Sequence, residues 1–209
     1  IRDSFSTEEI VNISSAAEPF FSDAAPATDP VALKEKFGIT RPFVLYTGGA
    51  DPRKNLTRLL EAYAQIPAEL RLQHQLVLAG RIDRAEHLAL LKGIKASGMK
   101  ADEVIFTEYI SDDELQTLYY ICKLFVFPSW HEGFGLPALE AMKCGAAVIS
   151  SNTSSLPEVV NLEEALFDPL STESISTKIT EFLSNPALIE RMKAHAKVQA
   201  PLFSWDASA

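Results

Sequence analysis

Leu124-Phe-Val-Phe-Pro-Ser-Trp-His-Glu-Gly-Phe-Gly-Leu-Pro-Ala-Leu-Glu140 passes from a continuous apolar run, through a glycine-rich loop, into a segment opened by proline. The run 124–127 suits a buried strand. Pro137 suits the first turn of a helix, where its missing N–H leaves no hydrogen bond unmade. The stretch therefore reads as a strand-to-helix junction. At such a junction free backbone N–H groups and the positive end of the helix dipole point outward, which suits a phosphate or pyrophosphate. Glu132 sits in the turn and Glu140 about one turn into the helix, so both can face one cleft. A carboxylate accepting from the vicinal hydroxyls of a ribose or hexose gains roughly 1.5 to 3 kcal/mol. The plainer alternative makes Glu140 helix surface and Glu132 a cap.

The same alternation runs outward along the chain. Short apolar runs at 43–46, 75–79, 104–106, 124–127, 147–150 and 165–167 are strand candidates. Segments between them carry apolar residues at helical spacing, as in Leu56, Leu59, Leu60 and Tyr63, or Leu115, Leu118 and Tyr119. Ser111-Asp-Asp-Glu114 reads as a capping box, Gly98 and Gly145 as helix stops, and 172–183 and 186–199 as closing helices. A short apolar run at 10–13 precedes an Ala, Pro and Asp-rich connection at 22–30. Strands alternating with helices predict an α/β fold, a doubly wound Rossmann-like parallel sheet whose ligands lie beyond the carboxyl ends of the strands.

On that edge the loops 47–55, 80–83, 107–110 and 128–135 become neighbours. The first, Thr47-Gly-Gly-Ala-Asp-Pro-Arg-Lys-Asn55, turns on Gly48 and Gly49 and places Arg53 and Lys54 together, two cations that suit a diphosphate. Alternatively they are solvated residues opening a helix, although cations there oppose the helix dipole. The loop is neither a P-loop nor the dinucleotide Gly-x-Gly-x-x-Gly.

With 209 residues and 47% hydrophobic composition, one domain is expected, though two small ones fit the length. A net charge of −9, from 19 Lys+Arg and 28 Asp+Glu, argues against nucleic acid or an anionic membrane surface as partner. Neither a membrane-spanning run nor a signal segment is apparent, so a soluble chain is expected, and two cysteines read as free thiols point to a cytoplasmic setting. Cys122 and Cys144 lack metal-ligand spacing and read as buried free thiols within helices rather than as a disulfide or redox pair.

The stretch Glu132-Gly-Phe-Gly-Leu-Pro-Ala-Leu-Glu140 resembles the E-x7-E motif of the group 1 (family four) nucleotide-sugar-dependent retaining glycosyltransferases. The likeness continues through the Gly-Gly-Ala-Asp-Pro-Arg-Lys-Asn loop, Leu76-Val-Leu-Ala-Gly80, Val104-Ile-Phe-Thr107, Val148-Ile-Ser-Ser-Asn152, Ser154-Ser-Leu-Pro157 and Phe203-Ser-Trp205. It spans residues 39–205.

The resemblance implies two Rossmann-like domains facing a cleft, of which this chain, 1–209, matches only the C-terminal donor-binding half. The acceptor half is expected elsewhere, either because the domain has been excised or because that half is a separate chain; a natural single-domain protein is the alternative. Carried over, the motif implies that Glu140 holds the ribose hydroxyls and Glu132 lies near the donor sugar. Lys54, helped by Arg53, would neutralise the diphosphate, with no metal and no other cofactor. Backbone groups around Phe134, Gly135 and Leu136 would cradle the distal phosphate, and Gly48, Gly49, Ser129 and Gly133 are expected among the donor-binding residues. The base is expected between the loops after Gly80 and Thr107, read near Ile110, with Arg81 and Tyr109 close by. The sequence departs from relatives at Gly49-Ala50, where many have arginine. It departs again at Glu108, where glycine is usual, and at His131, where an aromatic is common. His131 is expected near the donor, or else as a surface histidine.

The expected function is hexose transfer from a nucleoside diphosphate sugar to a glycan or lipid-linked acceptor. GDP-mannose in cell-surface polysaccharide synthesis is preferred and UDP-sugars stay open. No direct membrane insertion is expected; peripheral association of the full-length protein stays open. The alternatives are a non-catalytic nucleotide-sugar binding module and a nucleotide-sugar epimerase of the same architecture.

Overall fold

A computed structural model describes residues 15–208. Six parallel strands form one sheet: β1 (Phe43–Thr47), β2 (Gln75–Ala79), β3 (Val104–Glu108), β4 (Leu124–Phe127), β5 (Val148–Ser151) and β6 (Leu166–Phe167). Their spatial order is β3-β2-β1-β4-β5-β6, so the sheet grows outward in both directions from the β1–β4 pair. β1, β2 and β4 are buried at every position, which explains why they read as unbroken apolar runs and not as alternating ones.

Helices cover both faces. α1 (Pro30–Phe37), α5 (Asp112–Ile121), α6 (Leu136–Lys143) and α9 (Pro186–Gln199) pack in sequence on one side. α4 (Arg84–Ala96), α2 (Leu56–Gln65) and α8 (Thr172–Ser184) pack on the other, with α3 (Ala68–Gln73) against α8. The short α7 (Leu156–Val160) leans on β5 and α6, and α10 (Trp205–Ser208) closes the described chain. No helix of the described residues is long and apolar enough to cross a membrane. Between the layers lie fully buried rings, among them Tyr46, Tyr63, Tyr119, Phe125, Phe127 and Phe182.

The punctuation read from the sequence operates as expected. Ser111 and Glu114 form a reciprocal capping box on α5. Gly98 and Gly145 follow their helices with φ of 76° and 79°. Pro137 is the second residue of α6, behind Gly135 at φ 101°, which only glycine adopts readily. Cys122 and Cys144 are buried free thiols, but they cap α5 and α6 instead of lying inside them. Burial pushes both thiols up to about 12, so neither supplies a thiolate at neutral pH. The strands β1 and β5 end one residue later than the apolar runs suggest, at Thr47 and Ser151, and β3 ends two later, at Glu108. The run at 10–13 lies outside the described residues.

The carboxyl edge is close-fitting where β1 meets β2. A Cβ added at Gly80, whose φ is 134°, would sit 2.4 Å from the carbonyl oxygen of Gly48. Gly80→Ala should therefore cost about 2–4 kcal/mol in urea unfolding; a loss below ~0.5 kcal/mol would show that these loops part freely.

Candidate active site

The reversal of strand order falls between β1 and β4, and in doubly wound sheets the ligand crevice opens there. The loops leaving these strands are stitched together by one residue. Asn55, buried and held at φ 61°, donates its amide to the carbonyls of Pro128 at 3.0 Å and Pro169 at 2.8 Å. Its own oxygen accepts from Arg58 Nη1 at 2.7 Å. The Trp130 N–H adds a backbone bond to the Arg53 carbonyl at 3.0 Å. Asparagine tolerates the left-handed conformation better than most residues, so one side chain both permits the turn and ties three loops.

Within this frame Lys54 Nζ lies 2.7 Å from Glu132 Oε1, joining residues 78 apart in sequence. Glu132 is held from behind by the loop after β5: its N–H donates to Ser154 Oγ at 3.1 Å, and Ser155 Oγ donates to its carbonyl at 3.3 Å. Arg53 turns to Asp51, with Nε 3.1 Å from Oδ1, on an exposed surface. The Asp51 carboxyl is lowered chiefly by its hydrogen bonds with Arg53. Behind the glycine pair, the buried Tyr46 hydroxyl donates to the Gly49 carbonyl at 2.7 Å and fixes the loop's curvature.

Glu140 lies across the edge. Thr47, Gly48, Gly80, Tyr109, Ile110, Tyr119, Pro137 and Glu140 line a cleft of about 270 Å³. Tyr119, fully buried, has its hydroxyl 3.2 Å from Glu140 Oε2 and 3.0 Å from Thr47 Oγ1. An ionised carboxylate only accepts, so Tyr119 donates to Glu140 and Thr47 donates to Tyr119. Burial raises the Glu140 carboxyl above its ordinary value, Asp112 adds to the rise, and the Tyr119 hydrogen bond opposes it. One carboxylate oxygen is thus engaged while the other, Oε1, has no hydrogen-bond partner among the described residues.

The remaining expected site residues divide by position. Tyr109 is 79% exposed and stands with Ile110 at the cleft mouth, and Arg81 is exposed on the neighbouring loop, its carbonyl against Gly49. Gly133, Phe134, Gly135 and Leu136 form the turn into α6; among the described residues nothing accepts from the N–H groups of Phe134, Gly135 and Leu136. His131 is exposed beside Glu132. Ser129 is fully buried, its hydroxyl without a hydrogen-bond partner among the described residues, beneath the loop and not on its surface. Glu108 adopts φ 58°, a left-handed conformation that glycine reaches more easily. A wider cleft of about 390 Å³ beside α2 and α4 is lined by three carboxylates, Asp51, Glu61 and Glu86, against one cation, Arg58, a balance that disfavours an anion. Asn55, Tyr119 and Ser154 join the site only in the fold: in the sequence Asn55 and Ser154 are ordinary members of the loop segments, and Tyr119 has the spacing of a core residue.

The sequence pattern of Glycosyl transferases group 1 matches residues 32–199. The chain belongs to that family. It is similar to the serotype-specific mannosyltransferase WbdA of Escherichia coli, at 40% identity over 95% of the chain and 24% of the relative. It is also 34% identical to the O-antigen chain mannosyltransferase B of Escherichia coli, over 97% of the chain and 52% of the relative. The chain thus spans about a quarter to a half of the length of these curated relatives. Among solved structures, sucrose-phosphate synthase of Thermosynechococcus elongatus superposes with a TM-score of 0.78 at 30% identity, over 93% of this chain and 48% of that one.

The Glu140 shift has a signed consequence. A carboxyl raised on folding keeps its full contribution to stability below the ordinary value and loses it as pH rises through the folded value. Glu140→Gln should therefore raise the melting temperature more at pH 7 than at pH 4; an equal change at both would contradict the burial cause.

Proposed function

We propose that this chain is the donor-binding domain of a retaining, metal-independent glycosyltransferase that moves a hexose from a nucleoside diphosphate sugar to a glycan or lipid-linked acceptor. The observation that carries the reading is the cleft holding Glu140 beside Gly48, Gly80 and Ile110, with the Lys54 stem 3.9 Å from where a Gly48 Cβ would stand. That order from cleft to cation suits a base, a ribose and a diphosphate in succession. Glu140 Oε1 accepts from the ribose hydroxyls, the Ile110 region reads the base, and the turn into α6 offers N–H groups to the distal phosphate.

In the transfer itself the bond between anomeric carbon and phosphate oxygen breaks, its electron pair leaving with the diphosphate. The acceptor hydroxyl forms the new bond from the same face and gives its proton to that leaving phosphate. The chain's part is to position the donor and to stabilise the charge that develops on the diphosphate, a part that suits the Lys54 ammonium and the N–H groups of the α6 turn. The acceptor is expected to meet the other half of the full-length protein. Two relatives named as mannosyltransferases support mannose as the hexose, and GDP is the preferred carrier.

Calorimetric titration with GDP, UDP and ADP tests the reading. One of GDP or UDP should bind saturably, with the same affinity in Mg²⁺ and in chelator, and a flat response to all three would defeat the proposal. Lys54→Ala should weaken the diphosphate by about tenfold while leaving the nucleoside unchanged; equal losses would remove Lys54 from the phosphate site.

A further inference from the structure

Both cations of the phosphate loop are already matched by carboxylates, and the two pairs differ. Arg53 and Asp51 are neighbours on an exposed surface with side chains 56% and 48% exposed, so their contact exchanges readily with water. Lys54 and Glu132 are 21% and 13% exposed. The ammonium lies 5.1 Å from the centre of the Phe127 ring, and the Glu132 backbone is held on both sides by Ser154 and Ser155. A lone ammonium in this partly dry position would be poorly solvated, and the carboxylate balances it.

We propose that Glu132 is a specificity-determining place-holder: its carboxylate occupies Lys54 until the ligand's diphosphate displaces it. The inference rests on the nucleoside diphosphate reading above. Binding is then an exchange of one anion for another, and the affinity for any diphosphate is lowered by the strength of the Lys54–Glu132 pair. A displaced carboxylate beside a diphosphate meets like charge and needs new donors. The hydroxyls of a sugar on the diphosphate supply them; a bare nucleoside diphosphate does not. Glu132 thus discriminates between the sugar-bearing donor and the nucleotide product by weakening the latter.

The test is calorimetry on this chain with GDP, UDP, GDP-mannose and UDP-glucose, comparing wild type, Glu132→Gln, Lys54→Met and the double variant. Glu132→Gln should tighten the nucleoside diphosphate that wild type binds by roughly three- to tenfold and narrow the preference for its sugar-bearing form. The tightening should vanish in the Lys54→Met background. Unchanged or weaker diphosphate binding in Glu132→Gln, or equal tightening with and without Lys54, would overturn the inference while leaving the nucleotide site standing. Absence of nucleotide binding by wild type would instead overturn the underlying reading. Should Glu132→Gln fail to melt cooperatively, Glu132→Asp, which withdraws the carboxylate, decides in the same way with an intermediate gain.

Discussion

The pairing of β1 with β4 constrains the rest of the molecule, because the strand order departs in opposite directions on either side of it. A loop leaving β1 and a loop leaving β4 must therefore diverge towards opposite layers, and a crevice opens between them. In this chain the crevice is bridged instead of merely open. Asn55 ties both loops to the segment after β6, and Lys54 reaches Glu132 across the gap. Residues far apart in sequence thus become one polar cluster whose position is set by a rigid buried sheet.

The two carboxylates of this edge, Glu132 and Glu140, live in different surroundings. Glu140 rests in the cleft against Tyr119 with no cation as its partner among the described residues, and burial raises its carboxyl. Glu132 is charge-paired and braced by the loop after β5. A carboxylate presenting one free oxygen suits neutral hydroxyl donors, whereas a carboxylate already satisfied by an ammonium suits a site through which anions are exchanged.

Much of the fold was legible because a parallel sheet covered on both faces leaves long-lived marks: unbroken runs such as Leu76-Val-Leu and Leu124-Phe-Val-Phe, and helices punctuated by Ser111, Gly98 and Gly145. Elements without such marks escaped. α1 buries only Leu33, α3 buries nothing, and α7 has five residues, so none carries a helical stripe long enough to read. In the site, the glycine turns and acidic residues announced themselves by type. The partner of Lys54 and the Thr47–Tyr119–Glu140 chain did not, since each depends on which strands are neighbours and which rotamers the packing admits. Ser129 shows the reverse case: it belongs to the recognised loop, yet packing turns its hydroxyl inward.

The central claim is that a nucleoside diphosphate lies along the carboxyl edge from the Glu140 cleft to the turn into α6. Amide chemical-shift mapping of the ¹⁵N-labelled chain titrated with GDP and with UDP tests it most directly. Shifts centred on Gly48, Gly80, Ile110 and Gly135 and saturating together are expected. Shifts confined to the cleft beside α2 and α4, or none with either nucleotide, would contradict it.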